Sequence, residues 1–145
     1  MLQTPYDPTL HIEDDLGWGI TSRVYAVRKG SDLFALKICT DSLPNLESEY
    51  LVLKALEKKK VSYITKANGM SDDKKQLLLS PVGIPVFKAI ITREHAIQFV
   101  ETMRAIHQCG YLHRDVRPEN LVLVTKSQLV GPRDPKVVCN VFVVI

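Results

Sequence analysis

Cysteine is scarce in this 145-residue chain: Cys39, Cys109 and Cys139 are an odd number and show no C-x-x-C spacing. That argues against a disulfide framework or a zinc site and fits a reducing, intracellular setting. Long apolar runs are missing too. The most apolar stretch, Val137 to Ile145, is interrupted by Asn140 and falls far short of the roughly 20 residues that a membrane-crossing helix needs. No membrane association is expected. The first fifteen residues include Asp7, Glu13, Asp14 and Asp15 and have neither a basic nor an apolar leader region, so no secretory signal is expected and the compartment should be cytoplasm or nucleus. Charge of one sign is not in excess either: 19 Lys and Arg against 16 Asp and Glu leave +3. That is too mild for a nucleic-acid binder, which usually carries basic stripes. The one basic run, Lys58-Lys59-Lys60, follows an expected helix, where cations complement the C-terminal dipole. What is present, 46% hydrophobic and 24% charged residues, is the composition of a globular domain with a core.

Val24–Val27 and Leu33–Cys39 read as an antiparallel hairpin around the turn-rich stretch 28–32. A helix should follow, capped by Ser42 with Pro44 in its first turn, with Leu46, Glu49, Leu53 and Leu56 along one face. Val61–Thr65 and Leu77–Leu79 then read as strands around a loop centred on Asn68-Gly69, and Ser80-Pro81-Val82-Gly83 breaks the pattern. Beyond it, Thr92 should cap a longer helix whose apolar stripe is Ala96, Phe99, Val100, Met103 and Ile106 and which stops at Gly110. Leu121–Val124 and Val137–Ile145 are expected strands. The order implies an α+β fold with a boundary near Gly83, residues 1–83 forming a strand-rich part with one helix and 84–145 a helix-led part.

The strongest chemical signal is His113-Arg114-Asp115-Val116-Arg117-Pro118-Glu119-Asn120, between the long helix and an apolar strand. It satisfies all four fixed positions of the H-R-D-x-x-x-x-N catalytic loop, in which Asp accepts a substrate hydroxyl proton and Asn holds magnesium. Upstream, Leu16-Gly17-Trp18-Gly19-Ile20-Thr21-Ser22-Arg23-Val24 follows G-x-G-x-x-G-x-V with Ser22 in place of the third glycine. Ala35-Leu36-Lys37-Ile38 then offers a strand lysine for nucleotide phosphates. Two glutamates compete as its partner. Helical spacing puts Glu49 on the side of Leu46 and Leu53, and Glu47 towards Leu51 and Lys54, so Glu49 is expected opposite Lys37.

In this order the motifs resemble a eukaryotic-type protein kinase of the serine/threonine kind over about residues 10–124. The resemblance implies a kinase-like antiparallel N-lobe sheet with one helix and the beginning of a helical C-lobe. It further implies ATP and Mg2+ as ligands, with a protein substrate or a partner kinase as macromolecular partner. Asp115 would be the base, Asn120 a metal ligand, Lys37 and Glu49 the phosphate-positioning pair, and Arg117, where the family usually has Lys, the γ-phosphate cation. Leu16, Gly17, Gly19, Val24 and Ala35 would surround the nucleotide. Leu79 would be the gatekeeper of a hinge in which the Ser80 carbonyl and Val82 amide face adenine, Pro81 falling where no donor is needed.

Departures from that family follow Asn120. No D-F-G occurs, and Asp134, in Pro132-Arg133-Asp134-Pro135, is the only acid beyond Asn120. Asn140 is the expected nearest residue to the place of the missing metal-binding Asp, and it is neutral. A chain shortened after the catalytic loop is therefore expected, with weak or no activity. The alternative is a non-catalytic pseudokinase fragment that binds nucleotide or a partner.

Overall fold

The computed structural model describes residues 7–42, 45–124 and 140–143. It divides into two compact units, Met1–Val52 with Lys66–Val82, and Leu53–Thr65 with Gly83–Ile145. The architecture is α+β.

The first unit holds a five-stranded antiparallel sheet of β1 (His11–Trp18), β2 (Ser22–Lys29), β3 (Asp32–Cys39), β4 (Lys66–Met70) and β5 (Gln76–Ser80), in the order β1-β2-β3-β5-β4. The expected hairpin forms in one-to-one register from Ser22↔Cys39 to Lys29↔Asp32. Its two-residue turn starts at Gly30, whose φ of +62° is easily reached only without a Cβ. One face buries Leu10, Val27, Leu36 and Leu78, with Ile12, Tyr25, Phe34 and Ile38 packed around them. The alternation of β2 and β3 thus feeds a core on one side.

β1 was not evident from the sequence because its polar residues hide the alternation. Glu13 pairs with Arg28 and Asp15 with Arg23 on β2, so cross-strand charge takes the place of apolar contact. Two register shifts, at Ile12/Asp14 and Asp15/Gly17, bend the strand further from a regular pattern.

Two other expectations are corrected. Residues 61–65 form no regular strand beyond an isolated bridge at Ile64, and Asn68-Gly69 lies inside β4 at a bulge instead of making the turn. The turn is five residues later. There Asp73 Oδ1 accepts from Lys75 N at 3.0 Å and Ser71 Oγ accepts from Gln76 N at 2.9 Å, a side-chain scaffold stronger than the Asn-Gly signal. The first helix, α1 (Glu47–Lys58), also starts later than Ser42 suggests. Asn45 Oδ1 accepts from Glu47 N at 3.1 Å and takes the capping role. Pro44 lies outside the described residues.

In the second unit α2 (Arg93–Gln108) begins at the expected cap. Thr92 Oγ1 accepts from His95 N and His95 Nδ1 accepts from Thr92 N, a reciprocal capping box. Gly110, at φ +87°, follows the helix end. Of the stripe expected on α2, Ile106 alone is buried. His95, Thr102 and Ile106 are buried, whereas Ala96 and Val100 are exposed and Phe99 and Met103 half-buried. Burial of the polar pair is tolerated because both are bonded, Thr102 Oγ1 donating to Ser62 O at 3.4 Å.

A three-stranded sheet, β6 (Ile84–Pro85), β7 (Leu121–Val124) and β8 (Asn140–Val143), completes this unit in the order β6-β7-β8. Gly83 leads into it at a close approach: a Cβ there would stand 2.5 Å from Leu123 O. At the ends of the helices Lys59 Nζ donates to Cys109 O at 3.2 Å, so the lysine run serves helix termini. No helix among the described residues is long and apolar enough to cross a membrane.

Candidate functional site

Strand register collects several of the proposed nucleotide residues on one face of the five-stranded sheet. Val24 pairs with Lys37 and Lys37 with Leu77, while Ala26 pairs with Ala35 and Ala35 with Leu79. Directly opposed residues share a face, and so do residues two apart on a strand. Val24, Ala35, Lys37 and Leu79 therefore lie together on the side opposite the Leu36 and Leu78 core. Leu79 is buried, and Val24 and Ala35 are half-buried.

Lys37 Nζ donates to Glu49 Oε2 at 2.7 Å. Their side chains are 21% and 14% exposed, so the pair is largely removed from water. Glu47, two residues earlier, pairs instead with Lys74 at 2.6 Å, with both side chains about two-fifths exposed. The helix phase that places Glu49 inward thus also sends Glu47 to the margin. Burial holds the Glu49 carboxyl above the usual glutamate range, and the nearby Lys37 ammonium only partly opposes that rise. Glu49 Oε1 is buried and has no hydrogen-bond partner among the described residues.

The Gly17-x-Gly19 segment spans the end of β1 and the turn into β2. Gly17 sits at φ +138°, open to glycine and strained for other residues, and Gly19 N donates to Ser22 O at 2.7 Å to close the turn. Ser22, where the third glycine is replaced, opens β2 opposite Cys39. Leu16 is 41% exposed beside a β1 bulge. At the other end of the sheet Ser80 Oγ accepts from Asn68 Nδ2 at 2.8 Å, and Val82 is half-buried.

The second unit carries the H-R-D segment as an exposed loop. Asp115 is its centre. Arg117 Nε lies 2.7 Å from Asp115 Oδ1 and Arg117 Nη2 donates to Oδ2 at 3.0 Å, a forked contact. Asn120 Nδ2 donates both to Asp115 O at 2.8 Å and to Oδ2 at 2.9 Å. Asp115 N donates to His113 Nδ1 at 3.3 Å, and Arg114 takes φ +64°. The Arg117 guanidinium first, and the Asn120 amide second, hold the Asp115 carboxyl below the usual aspartate range. Asp115 and Asn120 are thus joined in one network. Arg117 was expected to face a phosphate and is turned to Asp115; an Arg two residues from an Asp in a loop was the available sign.

The register of β7 with β8 corrects the placement of Asn140. Leu121, directly after Asn120, is opposite Val143, whereas Asn140 is opposite Val124 at the far end of the ladder. The strand position next to Asn120 is therefore filled by an apolar residue. No group of three or more His, Cys, Asp or Glu among the described residues could hold a metal. Both Asp115 oxygens accept hydrogen bonds, and Asn120, the expected metal ligand, gives its amide NH2 to Asp115.

No protein-family model matches the chain. Among curated proteins it is similar to the serine/threonine-protein kinase PKH3 of Eremothecium gossypii, 27% identical over 150 residues, an alignment covering 88% of this chain and 20% of that protein. It is also similar to the chloroplastic serine/threonine-protein kinase STN8 of Arabidopsis thaliana, 40% identical over 42 residues, or 29% of this chain and 8% of that one. The chain thus spans about a fifth of the length of the first relative and less than a tenth of the second. Its likeness to both is a kinase-like relationship.

Proposed function

We propose that this chain is a protein-kinase-like, ATP-binding domain with little or no phosphoryl transfer of its own. The observation that carries the reading is the buried Lys37–Glu49 pair at 2.7 Å on the face that also bears Val24, Ala35 and Leu79. A lysine fixed in place by a buried carboxylate is a positioned cation for phosphate oxygens, and the small and branched neighbours leave a flat apolar surface for a base. The glycine turn supplies backbone that can approach phosphates closely.

The second half of the reading follows from the other unit. Phosphoryl transfer depends almost wholly on positioning and charge stabilisation, and the residues after Asn120 include no D-F-G, with Asp134 the only acid among them. Turnover is expected to fall by several orders of magnitude even with Asp115 in place. A protein substrate hydroxyl would be the acceptor of any residual transfer.

Calorimetric titration of the 145-residue chain with ATP tests the binding half. Binding that Lys37→Ala weakens supports it; a well-folded chain that shows no heat of binding refutes it. For the second half, phosphorylation of a generic protein substrate that Asp115→Asn abolishes would show an active enzyme and overturn the claim of inactivity. The missing D-F-G also favours a second reading, a non-catalytic module that uses the same surface to engage a partner kinase.

A further inference from the structure

We propose that this chain pairs with a second copy of itself through the outer face of α2, the two helices crossing antiparallel at Ile97. The inference is independent of the nucleotide-binding reading and lies wholly within the second unit.

Exposure picks out the face. His95, Thr102 and Ile106 mark the buried side of α2, and on the opposite side Arg93, Ile97, Val100 and Arg104 are all exposed. Ile97 is 47% and Val100 56% exposed, and Ile90 and Ile91, just ahead of the helix, are 89% and 44% exposed. A single surface aliphatic is ordinary, whereas four between residues 90 and 100 are the mark of a protein contact. Beside them a groove of about 570 Å3 is bordered by Phe99, Val100, Met103, Arg104 and His107.

Charge picks out the partner. Arg93, Ile97 and Glu101 are spaced by four and form one ridge of the helix, the kind that interdigitates in the commonest class of helix crossing. Along that ridge the signs run positive, apolar, negative. A copy related by a twofold axis at Ile97 sets Arg93 opposite Glu101 of the other copy, twice over, with Ile97 against Ile97. A parallel copy would set like charge on like. Within the chain neither Arg93 nor Glu101 forms an ion pair among the described residues, so both are open to such a contact. The same register brings Ile91 opposite Met103 and Ile90 opposite Arg104, at the border of the groove. One helix face makes a small interface, so the association is of the weak, transient kind.

The test is analytical ultracentrifugation of the full 145-residue chain from about 5 to 200 μM. A monomer–dimer equilibrium that weakens with added salt is expected; a chain that is monomeric throughout refutes the proposal. Ile97→Glu, checked for an unchanged melting curve, should weaken the dimer about tenfold or more, and a dimer of unchanged strength would place the contact elsewhere and overturn it. Arg93→Glu alone should also weaken it, because two carboxylates then face each other, and adding Glu101→Arg should restore it. A double variant as weak as Arg93→Glu refutes the antiparallel pairing, and this exchange of charges decides the matter even if Ile97→Glu fails to fold.

Discussion

Glu47 and Glu49 stand two residues apart on α1 and are held by different lysines, Lys74 at the exposed margin and Lys37 in the half-buried interior. One helix turn thus contains an ion pair whose loss should matter and another whose loss should not.

Lys37→Ala is expected to destabilise the chain by about 1–3 kcal/mol, since it leaves a buried carboxylate uncompensated. The cost should depend on pH. Burial already raises the Glu49 carboxyl above its ordinary 4.5, and removing Lys37 raises it further. A carboxyl raised on folding contributes its stability below the unfolded value, and that contribution is lost as pH rises through the folded value. Urea unfolding near pH 4 and at pH 7 should therefore show the larger Lys37→Ala penalty at pH 7. An equal penalty at both would mean that Glu49 is not the group responsible.

Glu47→Ala removes a pair in which both partners are about two-fifths exposed. Its effect should be within about 0.5 kcal/mol and should shrink with added salt. The same denaturation assay checks this, and a loss comparable to that of Lys37→Ala would contradict the assignment of the two glutamates.

How much of this was legible beforehand differs from residue to residue. Helical phase was enough to choose Glu49 over Glu47, because a period of 3.6 residues separates faces cleanly even without tertiary information. The β2/β3 hairpin was readable for the same reason, its apolar residues being dense and its turn carrying Gly30. β1 was hidden because Glu13 and Asp15 find their partners on another strand, and a single-strand pattern does not contain Arg28 or Arg23. The Asn68-Gly69 signal misled because a bulge and a turn ask for the same residue types. The buried face of α2 was misread because His95 and Thr102 are polar by type and satisfied by partners that only the fold provides. Placing Asn140 required the β7/β8 register, which depends on a long-range pairing.

The exposed Asp115 loop should respond to acid in a defined direction. Its carboxyl is lowered on folding by Arg117 and then Asn120, so the contribution is present above the unfolded value and is lost as pH falls through the folded one. Carbon-detected NMR titration of the side-chain carboxyl should place Asp115 below the ordinary 3.8, and Arg117→Ala should move it upwards. No movement in the variant would separate Arg117 from Asp115 in solution.

Gly83→Ala tests the tight entry into β6. A methyl group there would meet Leu123 O at 2.5 Å and Val124 Cγ2 at 2.9 Å, and backbone cannot yield cheaply. A loss of about 1–3 kcal/mol is expected from this overpacking. Thermal unfolding gives the answer, and an unchanged melting temperature would show that the β6/β7 approach is looser than the distances state.

The one-to-one hairpin of β2 and β3 also has a kinetic meaning. β1, β2 and β3 follow one another through short turns, so their pairing closes small loops and belongs to the microsecond range of hairpin formation. β5 must join β3 across the whole intervening segment 40–75, which includes α1 and β4, and its closure entropy is correspondingly larger. The β1–β3 meander is therefore expected to be the early template in refolding, with β5 and β4 added afterwards. Pulsed hydrogen exchange should find amides of Val24–Val27 protected before those of Leu77–Leu79. The reverse order would make the docking of β5, and not the hairpin, the event that commits the sheet to form.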